Sequence, residues 1–121
     1  MRQQPTPRVT PSDVERVVHR DFRAEEFLEV MNLLNEYGAE EWHHERSRVQ
    51  LAALKLAGGD LKKLRLQMNI AKYDYRDVLA PAEYPEYMKK FSGARHPPAD
   101  EREQVIEDDW KQYESWLKEE T

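Results

Sequence analysis

The feature that most constrains the fold of this chain is a regular apolar spacing near its centre. Six apolar side chains recur there at intervals of three and four residues: Leu61, Leu64, Met68, Ala71, Tyr75 and Val78. In an α-helix this spacing places all six along one face, which must then be buried against a neighbouring element. The spacing therefore predicts a helix over Leu61–Ala80 and argues against a strand, whose faces repeat every second residue.

A glycine pair before this segment predicts a tight connection to a second helix. The segment Glu40–Ala57 has its own apolar face, and Gly58-Gly59 ends it, since glycine readily adopts the left-handed conformation found after helix ends. Asp60 then supplies a carboxylate that can cap the next helix. We expect the two segments to form an αα-hairpin around a three-residue turn.

Further helices are predicted on both sides of the hairpin. Thr10 and Pro11 are typical of a helix start, and the apolar phase changes near Asp21–Arg23, where we expect a break. A second helix then runs to about Tyr37 and ends at Gly38.

On the carboxyl-terminal side, Pro81 is predicted to end the central helix, because the residue before a proline disfavours helical geometry. A short helix to about Phe91, a linker and a last helix over residues 98–118 follow.

The predicted fold is all-α: one compact domain over residues 10–119, built from four main helices and one or two short ones, with a flexible arm over residues 1–9. Ten side chains are predicted to be largely buried: Leu64, Met68, Ala71, Tyr75, Val49, Ala53, Leu56, Phe27, Met31 and Leu34.

Composition and charge exclude several classes of function. The chain has no cysteine, which excludes disulfides, thiolate metal sites and a cysteine nucleophile. It has no apolar run long enough to span a membrane and no secretory leader, so we expect a cytoplasmic protein without a membrane partner. The net charge is −5 and is concentrated after residue 98, so no basic face for a nucleic acid is expected. No motif predicts a cofactor.

The densest polar cluster in the sequence follows Gly38. Glu41 and His44 are spaced i,i+3, which on a helix puts a carboxylate and an imidazole on one face, where both could bind a metal. His43 or His44 could equally act as a general base oriented by a carboxylate. The alternative is an ordinary amphipathic first turn, whose acidic residues favour the positive end of the helix dipole.

Asp74 and Asp77 are candidates for the same site, because the hairpin would bring the end of its second helix close to the start of its first. Surface salt bridges are the alternative explanation for these two residues. A third candidate is the turn before Leu61, whose free N–H groups could bind an anion.

Aromatic residues near the carboxyl terminus suggest an interaction surface. Tyr84 and Tyr87 flank Pro85, an arrangement that can anchor a loop or contact a partner. The acidic last helix carries Trp110, Tyr113 and Trp116, more aromatic area than one narrow seam needs. This helix could be a solvated face, a self-association helix or a binding surface for a basic partner.

The leading hypothesis is therefore a non-enzymatic protein-interaction module that binds a protein partner or a second copy of itself, forming a homo-oligomer. The alternative is a small enzyme or metal-binding protein with its site around Glu41, His43 and His44. No catalytic signature in the sequence decides between them.

Two segments resemble a small family of uncharacterised bacterial proteins. They run from Trp42 to Asp60 and from Asp77 to Tyr87, and the resemblance extends over about residues 25–90. It implies a bacterial, cytoplasmic origin. It transfers no catalytic residue, because the family has no defined activity.

Overall fold

The computed structural model describes residues 7–37, 45–91 and 98–119, and all regular structure in these ranges is helical. A 3₁₀ turn, Ala24–Glu26, lies before the second of the α-helices. The α-helices, in chain order, are α1 (Pro11–Asp21), α2 (Phe27–Asn35), α3 (Arg46–Ala57), α4 (Leu61–Tyr73), α5 (Arg76–Glu83), α6 (Pro85–Phe91) and α7 (Ala99–Lys118). The predicted all-α fold is confirmed.

The predicted hairpin forms the centre of the molecule. Helices α3 and α4 pack together, and Gly58 and Gly59 between them have φ angles of 57° and 84°. The carboxylate of Asp60 accepts hydrogen bonds from the backbone N–H groups of Lys62 and Lys63, as expected of a helix cap. Four consecutive residues of α3, 51–54, are fully buried, because α1, α4 and α5 all pack around this helix.

The prediction of one helix over Leu61–Ala80 is wrong at Asp74. Helix α4 ends at Tyr73, and Asp74 is extended, with φ −154° and ψ 105°. Its carboxylate accepts the backbone N–H and the guanidinium of Arg76, so a local hydrogen bond of Asp74 replaces helical continuation and starts α5.

Pro81 does not end a helix, which is a second correction. It lies inside α5, which continues to Glu83. Proline here removes one N–H donor from the helix. Helix α5 persists because Val78, Leu79 and Ala82 are buried and the helix packs against α3.

The start of α3 also differs from the prediction. A helix beginning at Glu40 would pass through Glu45, but Glu45 has a left-handed backbone with φ 55°, and α3 begins at Arg46. Helix α2 ends at Asn35, slightly earlier than expected. The buried amide of Gln50 donates hydrogen bonds to the carbonyl oxygens of Leu34 and Tyr37, which ties this helix end to α3.

Six of the ten predicted core residues are buried: Leu64, Met68, Ala71, Val49, Ala53 and Leu34. The other four, Tyr75, Leu56, Phe27 and Met31, are partly buried and pack against the core. Tyr75 lies at the break between α4 and α5, and Phe27 stacks on His19 with ring centroids 4.5 Å apart, near the surface. Of the predicted arm, residues 7–9 are described: Pro7 is buried and Val9 packs against the core.

Hydrogen bonds at helix ends fix the start of α1 and join α1 to the end of α7. The helix start predicted at Thr10 is present, and Thr10 and Asp13 exchange hydrogen bonds there as a capping box. At the other end of α1, the guanidinium of Arg20 donates to the carbonyl oxygens of Trp116 and Glu119 at 2.7 and 2.9 Å, and that of Arg16 donates to Leu117. These bonds satisfy carbonyl groups that the end of α7 leaves unpaired, where positive charge is also favoured by the helix dipole.

The two glycines give a matched prediction. An added Cβ at Gly59 would lie 2.8 Å from the backbone oxygen of Asp21, whereas one at Gly58 would meet nothing within 4 Å. Both positions have positive φ, so Gly58→Ala is expected to cost about 1 kcal/mol of unfolding free energy. Gly59→Ala should cost about 2–4 kcal/mol, because the clash with α1 adds to that strain. Urea unfolding compares the two, and equal losses would contradict the close approach at Gly59.

Candidate functional site

The histidine cluster singled out in the sequence lies outside the described residues. This applies to Glu41, His43 and His44, so their role as metal ligands or bases stays a prediction. Within residues 7–37, 45–91 and 98–119, no group of three or more His, Asp or Glu side chains is placed to hold a metal ion.

Asp74 lies at the break between α4 and α5, and Asp77 lies just after it, inside α5. The guanidinium of Arg76 holds the pKa of Asp74 below its usual range through hydrogen bonds to the carboxylate. Asp77 is exposed in the first turn of α5. Asp74 is thus committed to capping a helix, and neither carboxylate lies in a described cleft.

Tyr84 and Tyr87 belong to a packed aromatic cluster at the start of α6. Their rings meet edge to face at 6.2 Å, and Tyr87 meets Phe91 at 5.1 Å. Buried Asp109 of α7 accepts hydrogen bonds from the backbone N–H groups of Glu86 and Tyr87. Burial raises the pKa of Asp109, although these two bonds oppose the rise. The segment is thereby anchored to α7.

An ion pair between half-buried Arg48 of α3 and buried Glu83 of α5 joins these two helices. The guanidinium of Arg48 donates two hydrogen bonds to the carboxylate of Glu83, both at 2.7 Å, and Glu83 is 6% exposed. The bonds to Glu83 raise the pKa of Arg48, and burial together with Glu83 raises the pKa of Tyr84. Each oxygen of Glu83 thus accepts a hydrogen bond from the Arg48 guanidinium, which fixes the orientation of the carboxylate.

The three aromatic residues predicted on α7 have different surroundings. Tyr113 is buried. Trp116 packs against the core, with the guanidinium of Arg20 over its ring at 5.1 Å. Trp110 is half-buried and lies outside the main core cluster. Its ring is therefore partly accessible to a ligand.

Trp110 forms part of a cleft between α7 and the segment before α1. The cleft has a volume of about 300 Å³ and is mainly apolar, with charged groups among its lining residues. Its lining consists of Pro7, Arg8, Trp110, Tyr113, Glu114, Leu117 and Lys118. We call it the α7 cleft. An aromatic and aliphatic cavity with a few charged groups is the usual form of a binding site for a side chain or a small ligand.

A second, shallower cleft lies on the other side of Pro7 and Arg8. It measures about 530 Å³ and contains the start of α3, where Arg46, Ser47 and Arg48 lie beside Glu45. No side chain caps this helix start. Its lining is more polar than that of the α7 cleft.

Three functional or structural residues were not singled out from the sequence: Arg48, Glu83 and Asp109. Their hydrogen-bond partners are 22 to 35 residues away along the chain, so no local spacing in the sequence predicts these contacts. Only the acidic run 107–109 gives a signal, and its third member faces inward.

Comparison of the chain with protein-family models, with curated proteins and with solved structures finds no match. Among the described helices, none combines the length and apolar character that a membrane span requires.

The hydroxyl of Tyr113 has no hydrogen-bond partner in the described part of the chain, and its burial raises the pKa of this phenol. Tyr113→Phe is therefore expected to leave stability at pH 7 unchanged or to raise it by up to about 1 kcal/mol. Above about pH 10 the unfolded chain loses this proton while the folded chain keeps it, so wild-type stability should fall by about 1.4 kcal/mol per pH unit.

Urea unfolding at pH 8 and pH 11 measures this difference, and Tyr113→Phe should lose less stability than the wild type. Tyr73→Phe is the matched control, because Tyr73 is exposed. A Tyr113→Phe variant as sensitive to alkali as the wild type would contradict the placement of this ring.

Proposed function

We propose that this chain is a non-enzymatic helical module that binds a segment of a partner protein in the α7 cleft. The observation that carries the proposal is the apolar lining of this cleft, in which half-buried Trp110 and Leu117 lie beside charged Arg8, Glu114 and Lys118. A cavity of this size accepts one large apolar side chain, and the charged groups would orient the backbone of the segment that carries it.

The charge of α7 favours a basic partner. Between Pro98 and Glu119 there are eight acidic and three basic side chains. A segment with an aliphatic or aromatic residue flanked by lysines or arginines would complement the apolar lining of the cleft and the acidic charge along the rest of α7. The partner proposed here is therefore a basic peptide segment with one apolar anchor.

The buried polar groups of the described residues have structural roles. Glu83 is paired with Arg48, Asp109 caps α6, and Gln50 binds the end of α2. Each stabilises the fold through a specific contact. The alternative of a small enzyme or metal-binding protein depends on Glu41, His43 and His44, and no described feature favours it. A bacterial, cytoplasmic setting is part of the same proposal.

A peptide-display selection against the folded chain tests this function. We expect the enriched peptides to share one large apolar residue flanked by basic residues. Trp110→Ala and Glu114→Lys should each weaken the best peptide at least tenfold in calorimetry, which corresponds to about 1.4 kcal/mol or more.

Glu103→Lys is the matched control for the charge reversal, because Glu103 is an exposed residue of α7 outside the cleft. It should change the affinity by much less than Glu114→Lys. Selection of no common peptide pattern, or peptides that bind the wild type and the two cleft variants equally, would refute the proposal.

A further inference from the structure

Helices α2 and α4 expose large apolar side chains away from the core. In the described part of the chain, Leu28 of α2 is 74% exposed, and Leu66 and Tyr73 of α4 are 57% and 95% exposed. Leu66 and Tyr73 are seven residues apart, so they lie on one line along α4. Exposed apolar side chains that cluster in this way indicate an interaction surface.

The two helices run parallel, side by side. Glu29 forms an ion pair with Arg65 at 3.9 Å, and Glu36 forms one with Lys72, so a step of seven residues on α2 matches a step of seven on α4. Each exposed apolar residue is next in sequence to one of these charged residues. One residue turns a helix by about 100°, so a side chain next in sequence to a paired charge points away from the ion pairs. The exposed apolar residues of both helices therefore lie on the outer surface, beside the row of ion pairs that joins α2 and α4.

The charges of the two helices differ in sign. Residues 24–37 contain four acidic side chains, of which Glu25 and Glu26 pair with Arg23 just before this range. Residues 61–73 contain four basic side chains, and Asp60 and Asp74 lie at the two ends of this range. The outer surface of α2 and α4, which we call the α2/α4 face, therefore has an acidic half and a basic half with leucines on both.

We propose that the α2/α4 face binds the same face of a second copy of this chain, forming a two-fold symmetric dimer. A two-fold axis parallel to the helices places α2 of one copy over α4 of the other, so each acidic half meets a basic half. A two-fold axis that lies in the interface but runs perpendicular to the helices would place α2 on α2 and α4 on α4, where like charges repel. The charge pattern thus favours a second copy as the partner and a two-fold axis parallel to the helices.

The ion pairs also set the register of this dimer. Glu29 and Arg65 are level within one copy, so Leu28 and Leu66 are nearly level as well. With the axis parallel to the helices, Leu66 of each copy lies opposite Leu28 of the other. The dimer therefore has two equivalent leucine contacts.

The size of the face predicts a weak dimer. Helix α4 has 13 residues and is about 20 Å long, and two adjacent helices are about 20 Å wide. Such a face buries about 800 Å² in total, below the area of a standard stable interface, so we expect a dissociation constant in the micromolar to millimolar range. The face shares no residue with the α7 cleft, and either proposal can fail without the other.

Sedimentation velocity on the full chain from about 10 μM to 1 mM tests the dimer. The wild type should shift from monomer toward dimer across this range, and more weakly at high salt. Leu66→Glu should remain monomeric, because it places a carboxylate against an apolar side chain. Met88→Glu, which changes an exposed apolar residue on α6, should behave as the wild type.

A mixture of two variants tests the register. Leu66→Glu alone and Leu28→Lys alone should each be monomeric, but an equimolar mixture should form a heterodimer. One contact then joins the introduced glutamate and lysine, and the other retains both leucines. A wild type that stays monomeric to 1 mM, a Leu66→Glu variant that still dimerises, or a mixture that stays monomeric would overturn the proposal. Circular dichroism of each variant serves as the control that the exposed substitutions leave the fold intact.

Discussion

Replacing Arg48 with methionine is expected to lower the free energy of unfolding by about 3–5 kcal/mol. The substitution leaves the carboxylate of Glu83 buried and deprived of both of its 2.7 Å hydrogen bonds. An unpaired buried charge costs far more than the ion pair itself contributes, so the loss would be a large part of the stability of a domain this size. Urea unfolding followed by circular dichroism measures it.

The double variant Arg48→Met with Glu83→Met separates the two contributions. Removing both charges eliminates the desolvation cost, so the double variant should regain most of the stability lost by Arg48→Met. Arg46→Met is the control for the loss of an arginine on α3, since Arg46 is exposed and binds Asn35. It should cost less than about 1 kcal/mol. A single variant Arg48→Met as stable as Arg46→Met would show that the pair is not buried.

Replacing Met68 with alanine should cost about 2–5 kcal/mol, the second large effect that we expect. Met68 is 1% exposed and lies on the apolar face of α4 that packs against α3. Truncation removes buried contacts and leaves a cavity in the tightly packed centre of the hairpin.

Met88→Ala provides the same chemical change at an exposed position of α6. It should change stability by less than about 0.5 kcal/mol. Chemical unfolding of both variants at one protein concentration gives the comparison. Equal losses at the two positions would mean that the spacing from Leu61 to Val78 does not mark the buried seam.

The hairpin could be predicted because several local signals agree. The spacing of Leu64, Met68 and Ala71 requires one buried helical face, the glycine pair requires a turn, and Asp60 caps the helix that follows. Each signal acts over a few residues, and tertiary packing reinforces rather than overrides them. The helix start at Thr10 was predictable for the same reason.

The break at Asp74 could not be predicted from the spacing alone. Tyr75 and Val78 continue the apolar period across it, because both α4 and α5 turn an apolar face toward the core. What breaks the helix is the local bonding of Asp74 to Arg76, which competes with helical hydrogen bonds. Pro81 was wrongly predicted to end a helix. The burial of α5 against α3 outweighs the loss of one hydrogen bond at the proline, so α5 continues past it.

The candidate surfaces were predictable only in part. The aromatic content of α7 pointed to Trp110, but its contact with the cleft depends on the position of Pro7 and Arg8, about a hundred residues earlier in the chain. The α2/α4 face emerges only when two helices from different parts of the sequence lie parallel. Charged residues such as Arg48, Glu83 and Asp109 are ordinarily exposed, so only tertiary structure reveals that Glu83 and Asp109 are buried and that Arg48 is half-buried.

The most direct test of the binding role is an NMR titration of the isotope-labelled chain with a short lysine-rich peptide that carries one central leucine. We expect the indole N–H signal of Trp110 and the amide signals of residues 110–118 to shift in a saturable way. A peptide with alanine in place of the leucine should produce much smaller shifts. Shifts confined to other helices, or identical shifts with both peptides, would contradict the assignment of the α7 cleft as the binding site.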